Sequence, residues 1–362
     1  WLSSVLLALA PVTGCGSGSG EGLDFVSDNP AGGHGGDGDG DGDGGGDEGG
    51  ASGGGDGDGD GDPGDDGGDD GGRDIAEADI VKIEGDRLYA LSELSGLAVI
   101  DVSTRDTLPV LGRFRAHARP FEMYVDGDQV FVMYSDYGDY VWDAELEGYV
   151  WHQTSRLVAL DASDPADIHV TGTFDLPGQI QDSRRVGDVL YLVTHQDGYC
   201  WGCSDVQNTT ITSLNVADPS QVALVDQLAF EAPDGGYGGW RRSVSSTDAR
   251  MYVAGQEWLA DEPGHSTIDV VDISDPLGAM TKGTSLVVAG QISSRWQMDE
   301  FEGVLRVVSQ PDDWGENPVP VVQTFTVASA GNITPLGSVD MRLPRPEQLR
   351  SVRFDGLRGY AI

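Results

Sequence analysis

At 362 residues the chain is long enough for one large domain or two ordinary ones. Its 61 acidic residues against 21 basic ones give a net charge of −40, which excludes a nucleic-acid partner, since no basic run is dense enough to neutralise phosphates. That charge favours solubility and cationic partners and says nothing about fold.

Residues 1–15 open with the apolar run WLSSVLLALAPV, about half the length that spans a bilayer. It reads as the apolar part of an export signal whose basic start is missing from the sequence. Val12-Thr13-Gly14-Cys15 follows, and this resembles the lipobox of bacterial lipoproteins. The resemblance implies cleavage before Cys15 and lipidation of its thiol, and Gly16 implies outer-membrane sorting in a Gram-negative cell. The alternative is a plain secretory signal with an incidental cysteine. The expected location is exported and lipid-anchored, at the outer membrane, periplasm or cell surface.

Residues 16–73 form the next segment, with 17 acids and one arginine. From Ala31 to Gly72, 36 of 42 residues are Gly or Asp, leaving no apolar side chains to offset the entropy of ordering. Within it DGDGDGDGGGDE matches five positions of an EF-hand calcium loop: Asp37, Asp39, Asp41, Gly42 and Glu48. Alternating Asp-Gly makes those matches nearly unavoidable. The flanks are glycine rather than helix, and Gly44 stands where the loop needs an apolar residue. Asp37, Asp39, Asp41 and Glu48 are therefore weak metal candidates, and the segment is expected to be a disordered tether spanning roughly 40–45 Å or more.

From Asp74 to Ile362 a short paragraph of sequence recurs. Its first line is an apolar strand, a glycine turn and a second strand: IVKIEGDRLYALS, FEMYVDGDQVFVMYS, SRRVGDVLYLVTH, RSVSSTDARMYVAG, QMDEFEGVLRVVSQ and LRSVRFDGLRGYAI. The second line is an alternating strand closed by Asp-x-Ser-Asp-Pro or a relative, as in GLAVIDVST, RLVALDASDP, TITSLNVADP, TIDVVDISDP and VQTFTVASA. A last strand follows, as in VLGRF, VTGTF and LGSVD. Gly-Asp suits a tight hairpin turn, and Asp-Pro pre-sets the next one. With no helical periodicity after residue 74, the prediction is all-β: five four-stranded antiparallel units and two strands of a sixth, the blades of a β-propeller. A sandwich would need Greek-key connections and would not repeat its sequence.

EADIVKIEGDRLYALS, SRRVGDVLYLVTH and QMDEFEGVLRVVSQ resemble the bacterial secreted proteins with a C-terminal β-propeller domain, distant relatives of WD-40. The IDVS and DISDP lines are similar to the LVIVD surface repeat. The resemblance implies no catalytic residues, and family members continue through further strands where LRGYAI ends, which makes the domain incomplete at its C-terminus.

Most of the length difference between units falls between their second and third strands, in YSDYGDYVWDAELEGYVWHQ, HQDGYCWGCSDVQN, QEWLADEPGH and QPDDWGENPVP. Repeat geometry puts equivalent loops on one face. They carry Trp142, Trp151, Trp201, Trp258 and Trp314, with Asp136, Asp139, Asp143, Asp205, Asp261, Asp312 and Asp313. Aromatics of this kind either plug their own long loops or present a face for a flat or cationic ligand: protein, peptide or glycan. The acids could hold calcium, and no other cofactor is expected. Cys200 and Cys203 sit in a hairpin insertion without a thioredoxin-like context, and His195 is the only nearby further zinc ligand. With Cys15 lipidated, a Cys200–Cys203 disulfide is the expectation. No nucleophile elbow, zinc-protease motif or phosphate loop occurs. His117, His152, His195 and His265 fall in or beside loops. The expected function is an anchored binding or scaffold module at the cell envelope. The alternative is a periplasmic hydrolase or cofactor-dependent oxidoreductase, recognisable by acids, His or Arg converging in a central pocket.

Overall fold

The computed structural model describes residues 73–362 except 74, 105, 136, 138, 145–146, 153, 197–207, 232–236, 260–261, 312–318 and 343–348. The expected signal segment, Cys15 and the acids Asp37, Asp39, Asp41 and Glu48 lie outside the described residues.

A short strand β1 (Ile75–Ala76) precedes the first blade, which is β2 (Val81–Glu84), β3 (Arg87–Ser92), β4 (Gly96–Asp101) and β5 (Val110–Phe114). Blade 2 consists of β6 (Arg119–Asp126) and β7 (Gln129–Ser135), an inserted hairpin β8 (Asp139–Asp143) and β9 (Gly148–His152), then β10 (Thr154–Asp161) and β11 (His169–Pro177). Blade 3 is β12 (Gln179–Val186), β13 (Val189–Gln196), β14 (Asn208–Asn215) and β15 (Ala223–Glu231), and β1 adds to the free edge of β12. Blade 4 is β16 (Tyr237–Ser246), β17 (Arg250–Leu259), β18 (Glu262–Asp272) and β19 (Thr281–Val288). Blade 5 is β20 (Met298–Phe301), β21 (Val304–Ser309), β22 (Val321–Ser329) and β23 (Asn332–Asp340). The pair β24 (Val352–Asp355) and β25 (Arg358–Ala361) follows. These are the five four-stranded antiparallel units and two further strands that the repeat predicts.

The turn residues act as their chemistry requires. Gly85, Gly127, Gly187, Gly303 and Gly356 close the hairpins between first and second strands at φ of 59°, 58°, 59°, 72° and 49°, a region that costs a side chain but not glycine. The fourth blade has no glycine there. Its Thr247 hydroxyl instead accepts from the Ala249 and Arg250 amides at 3.2 and 3.0 Å. In the Asp-x-Ser-Asp-Pro line, Asp161 accepts from the Ser163 amide at 2.8 Å, and Asp164 caps the single 3-10 turn Pro165–Asp167. Asp218 caps Pro219–Gln221 in the same way.

Alternation along the strands gives every blade two apolar faces, and consecutive blades bury them against each other. Tyr89, Leu97 and Val99 of blade 1 pack on Val130, Val132 and Leu160 of blade 2. Phe131, Met133 and Leu157 then meet Leu190, Leu192 and Leu214 of blade 3. Tyr191, Val193 and Ile211 meet Met251, Val253 and Val271 of blade 4, and Tyr252, Ile268 and Val270 meet Leu305, Val307 and Phe325 of blade 5. A second contact repeats at the outer strands. A Cβ on Gly112 would overlap the Pro165 carbonyl, one on Gly172 the Pro219 carbonyl, and one on Gly283 the Ala330 carbonyl. The fourth strand of each of these blades thus receives a turn of the next blade, and only glycine leaves room for it.

Candidate functional site

The first strands of blades 2, 3 and 4 are each interrupted at one place. The ladder shifts between Pro120 and Met123 in β6, between Ile180 and Asp182 in β12, and between Gly238 and Arg242 in β16. A β-bulge re-aims the side chains beside it, and these bulges flank Glu122, Asp182 and Arg242. Glu122 and Asp182 each stand five residues before their turn glycines, Gly127 and Gly187, so they are equivalent positions of neighbouring blades.

The charges around them form one network. Asp182 is buried, and its Oδ1 accepts from the Ser183 amide at 2.8 Å and from Arg184 Nη1 at 2.7 Å. Its Oδ2 accepts from the Val244 amide of blade 4 at 3.2 Å. Arg184, fully buried, donates also to the Ser183 and Val244 carbonyls, and lies 3.6 Å from Glu77 on the segment between β1 and β2. Arg295 precedes blade 5 in a one-turn 3-10 helix closed by a capping box between Ser294 and Gln297. It donates from Nη2 to Glu122 Oε1 at 3.0 Å and approaches Asp182 Oδ1 at 3.5 Å. Blades 2, 3 and 5 are thereby joined through one guanidinium.

Three carboxylates, Glu77, Glu122 and Asp182, share two guanidiniums. Glu122 is paired through Oε1 alone: its Oε2 is buried with no hydrogen-bond partner among the described residues. Burial raises its pKa to about 7; the Arg295 charge works in the opposite direction, and Asp182 adds to the rise. Nearby, Tyr124 shares a 2.9 Å hydrogen bond with the Ser183 hydroxyl, and burial pushes its phenol up as well. A carboxyl that changes charge near neutrality can bind or release a proton there.

The loop residues named from the sequence are placed unevenly. Trp201, Trp314, Asp136, Asp205, Asp261, Asp312, Asp313, Cys200 and Cys203 lie outside the described residues. The hairpin β8–β9 carries Asp139, Trp142, Asp143 and Trp151 and is a separate two-stranded sheet between the second and third strands of blade 2. Its register sets Tyr140 opposite Trp151 and Trp142 opposite Tyr149. Tyr140, Trp142 and Tyr149 are 62, 55 and 69 % exposed. Trp142 and Tyr149 meet edge to face with centroids 5.3 Å apart. At the hairpin's base Arg156 lies 4.0 Å from the centroid of the Tyr137 ring and pairs with Asp175.

One expectation changes. The insertion QEWLADEPGH, containing Trp258, is taken up largely as ladder rather than loop: Gln256 pairs with Ser266, Glu257 with His265 and Leu259 with Glu262. His195 stands beside its insertion as the penultimate residue of β13, buried, with Nδ1 at 3.3 Å from the Thr209 hydroxyl. Among the described residues no three His, Cys, Asp or Glu side chains assemble as a metal site, and no helix is long and apolar enough to cross a membrane. The sequence does not announce this charge network. Its available signal is an acid at one fixed distance, five residues, before the turn glycine in two neighbouring units.

Compared with known proteins, the family model described as a beta propeller domain matches residues 72–223 and, in a second overlapping match, residues 201–362. No curated protein matches the chain.

Proposed function

The chain belongs to the beta propeller domain family, and we propose that it is an exported, lipid-anchored binding module of the cell envelope. One observation carries the binding part of this reading: the hairpin β8–β9 exposes Tyr140, Trp142 and Tyr149 together. Large rings held in water on a separate hairpin contribute little to any core, and such a patch marks a contact surface. The anchoring part rests on the lipobox-like Val12-Thr13-Gly14-Cys15 and the polar Gly/Asp tether behind it. A ligand array of glycans, peptides and envelope proteins tests the first part. Binding should be lost on Trp142→Ala with Tyr149→Ala; retention of every ligand by that variant refutes the reading. For the second part, Cys15→Ala should move the protein from the membrane to the soluble fraction, and unchanged sedimentation would refute lipidation.

A second reading, a periplasmic hydrolase, is favoured by one observation: the partnerless buried oxygen of Glu122 within a network of converging charges. A carboxyl poised near neutrality suits general acid–base chemistry. Here Glu122 would hold or take the proton, while Arg295 fixes its other oxygen. Hydrolysis of any substrate in a panel, abolished by Glu122→Gln but not by the hairpin variant, would establish this reading over the first.

A further inference from the structure

We propose that the aromatic face of β8–β9 docks an extended, arginine- or lysine-bearing segment of a partner protein. This rests on the binding reading above and names the class of partner for that site.

Charge is the first argument. From residue 120 to residue 155 the sequence contains no Lys or Arg, while the hairpin and its flanks carry Asp136, Asp139, Asp143, Glu145 and Glu147. An anionic partner would meet uncompensated repulsion there, in a chain of net charge −40. A neutral sugar would gain from the rings and from hydrogen bonds to the acids, but would leave their charge uncompensated. A cation gains from both, because the face of an aromatic ring is electron-rich and carboxylates pair with the same group.

The second argument is that the protein already makes this contact at the same place. The Arg156 guanidinium lies against the Tyr137 ring and is held by Asp175, so ring, cation and acid occupy one cluster at the base of the hairpin. Lys282 over Phe230, 4.4 Å from its centroid, repeats the pairing elsewhere. On the hairpin that follows Tyr137, Trp142 and Tyr149 are half-exposed or more and carry no cation among the described residues.

The third argument is backbone. β8 and β9 form a sheet of two strands, and no other described strand pairs with either outer edge. An extended segment can add to such an edge, and its alternate side chains then fall on the aromatic face.

The test titrates the full chain with oligoarginine, oligolysine and oligoglutamate peptides of equal length and with a neutral oligosaccharide, following indole fluorescence and heat. Oligoarginine is expected to bind, more weakly as salt is raised, with the oligoglutamate silent. Trp142→Ala with Tyr149→Ala should weaken it about tenfold, as two cation–ring contacts imply. Trp142→Phe should restore part of the loss, and Asp139→Asn with Asp143→Asn should flatten the salt dependence. Melting of each variant checks that the blades remain folded. If the double aromatic variant binds oligoarginine as tightly as the parent, the contact is diffuse attraction to an acidic surface and the inference falls. If only the oligosaccharide binds, and through Trp142, the binding reading stands and the cationic partner falls. If no probe binds or perturbs the indole, both fall.

Discussion

At the scale of single residues, the chemistry turns on how many charges Glu122 has to share. Arg295 supplies one hydrogen bond to Oε1 and leans also toward Asp182, whose own oxygens already accept from two amides and Arg184. Burial therefore dominates for Glu122 and its pKa rises to about 7. A carboxyl whose folded pKa lies above its unfolded value is most favourable when protonated, so its stability contribution is complete below about pH 4.5 and falls as pH climbs to about 7. A shift of that size corresponds to about 3 kcal/mol lost across the window. Glu122→Gln, neutral at every pH, should remove the slope: denaturant midpoints at pH 5 and pH 8 should lie closer together in the variant than in the parent. Equal slopes would show that Glu122 stays ionised and paired. The position was legible in principle, since FEMYVDG and QDSRRVG both carry an acid five residues before glycine. Its convergence with Arg295, more than a hundred residues away, was not, because adjacency of first strands is a property of how blades assemble.

At the scale of elements, the blades were legible because each strand alternates, each hairpin has its turn residue and the whole unit repeats. The Asp-x-Ser-Asp-Pro line reads directly as an Asx turn followed by a capped 3-10 turn. What that line does beyond turning was hidden. The Pro165 and Pro219 carbonyls press on Gly112 and Gly172 of the preceding blade, a contact between residues about fifty apart that no local pattern announces. QEWLADEPGH looks like a loop by its polar and proline content, yet its two arms pair with each other and lengthen the ladder between β17 and β18. The glycine contact makes a clean prediction. Gly172→Ala forces a methyl against backbone that cannot retreat without moving blade 3, so it should destabilise by about 1–3 kcal/mol. Gly337→Ala in the equivalent strand of blade 5 meets only the Thr324 hydroxyl at 3.4 Å, an ordinary contact, and should change stability little. Equal melting temperatures for the two variants would remove any special role from the Gly–Pro contact.

At the scale of the whole molecule, the segment before blade 1 holds distant blades together. Arg73 donates to the carbonyls of Asp248, Ile273 and Asp275, all in turns of blade 4. Two residues later β1 pairs Ile75 with Val186 and Ala76 with Arg185, extending blade 3 by a strand. Glu77 then faces the buried Arg184, and Asp79 bridges Met123 of blade 2. Seven residues thus touch three blades before the chain enters its first, and they contact blades 3 and 4 near the Gly187 turn, away from the hairpin β8–β9. Blade 1 itself leaves Val81 and Ile83 exposed on the face that blade 2 does not cover, so this segment links the early chain to the middle blades where blade-on-blade packing does not. A chain beginning at Arg73 should melt like one beginning at Ala31, because 36 of the 42 residues from Ala31 to Gly72 are Gly or Asp and bring no large apolar side chain to bury. A chain beginning at Ala78 should melt lower. It loses three charge-assisted bonds and the β1 ladder and leaves Arg184 without Glu77, together about 2–4 kcal/mol. For a domain of this size that is a fall of roughly 4–10 °C. Superimposable melts of the chains beginning at Arg73 and Ala78 would show that residues 73–77 only lie on the blades and do not hold them.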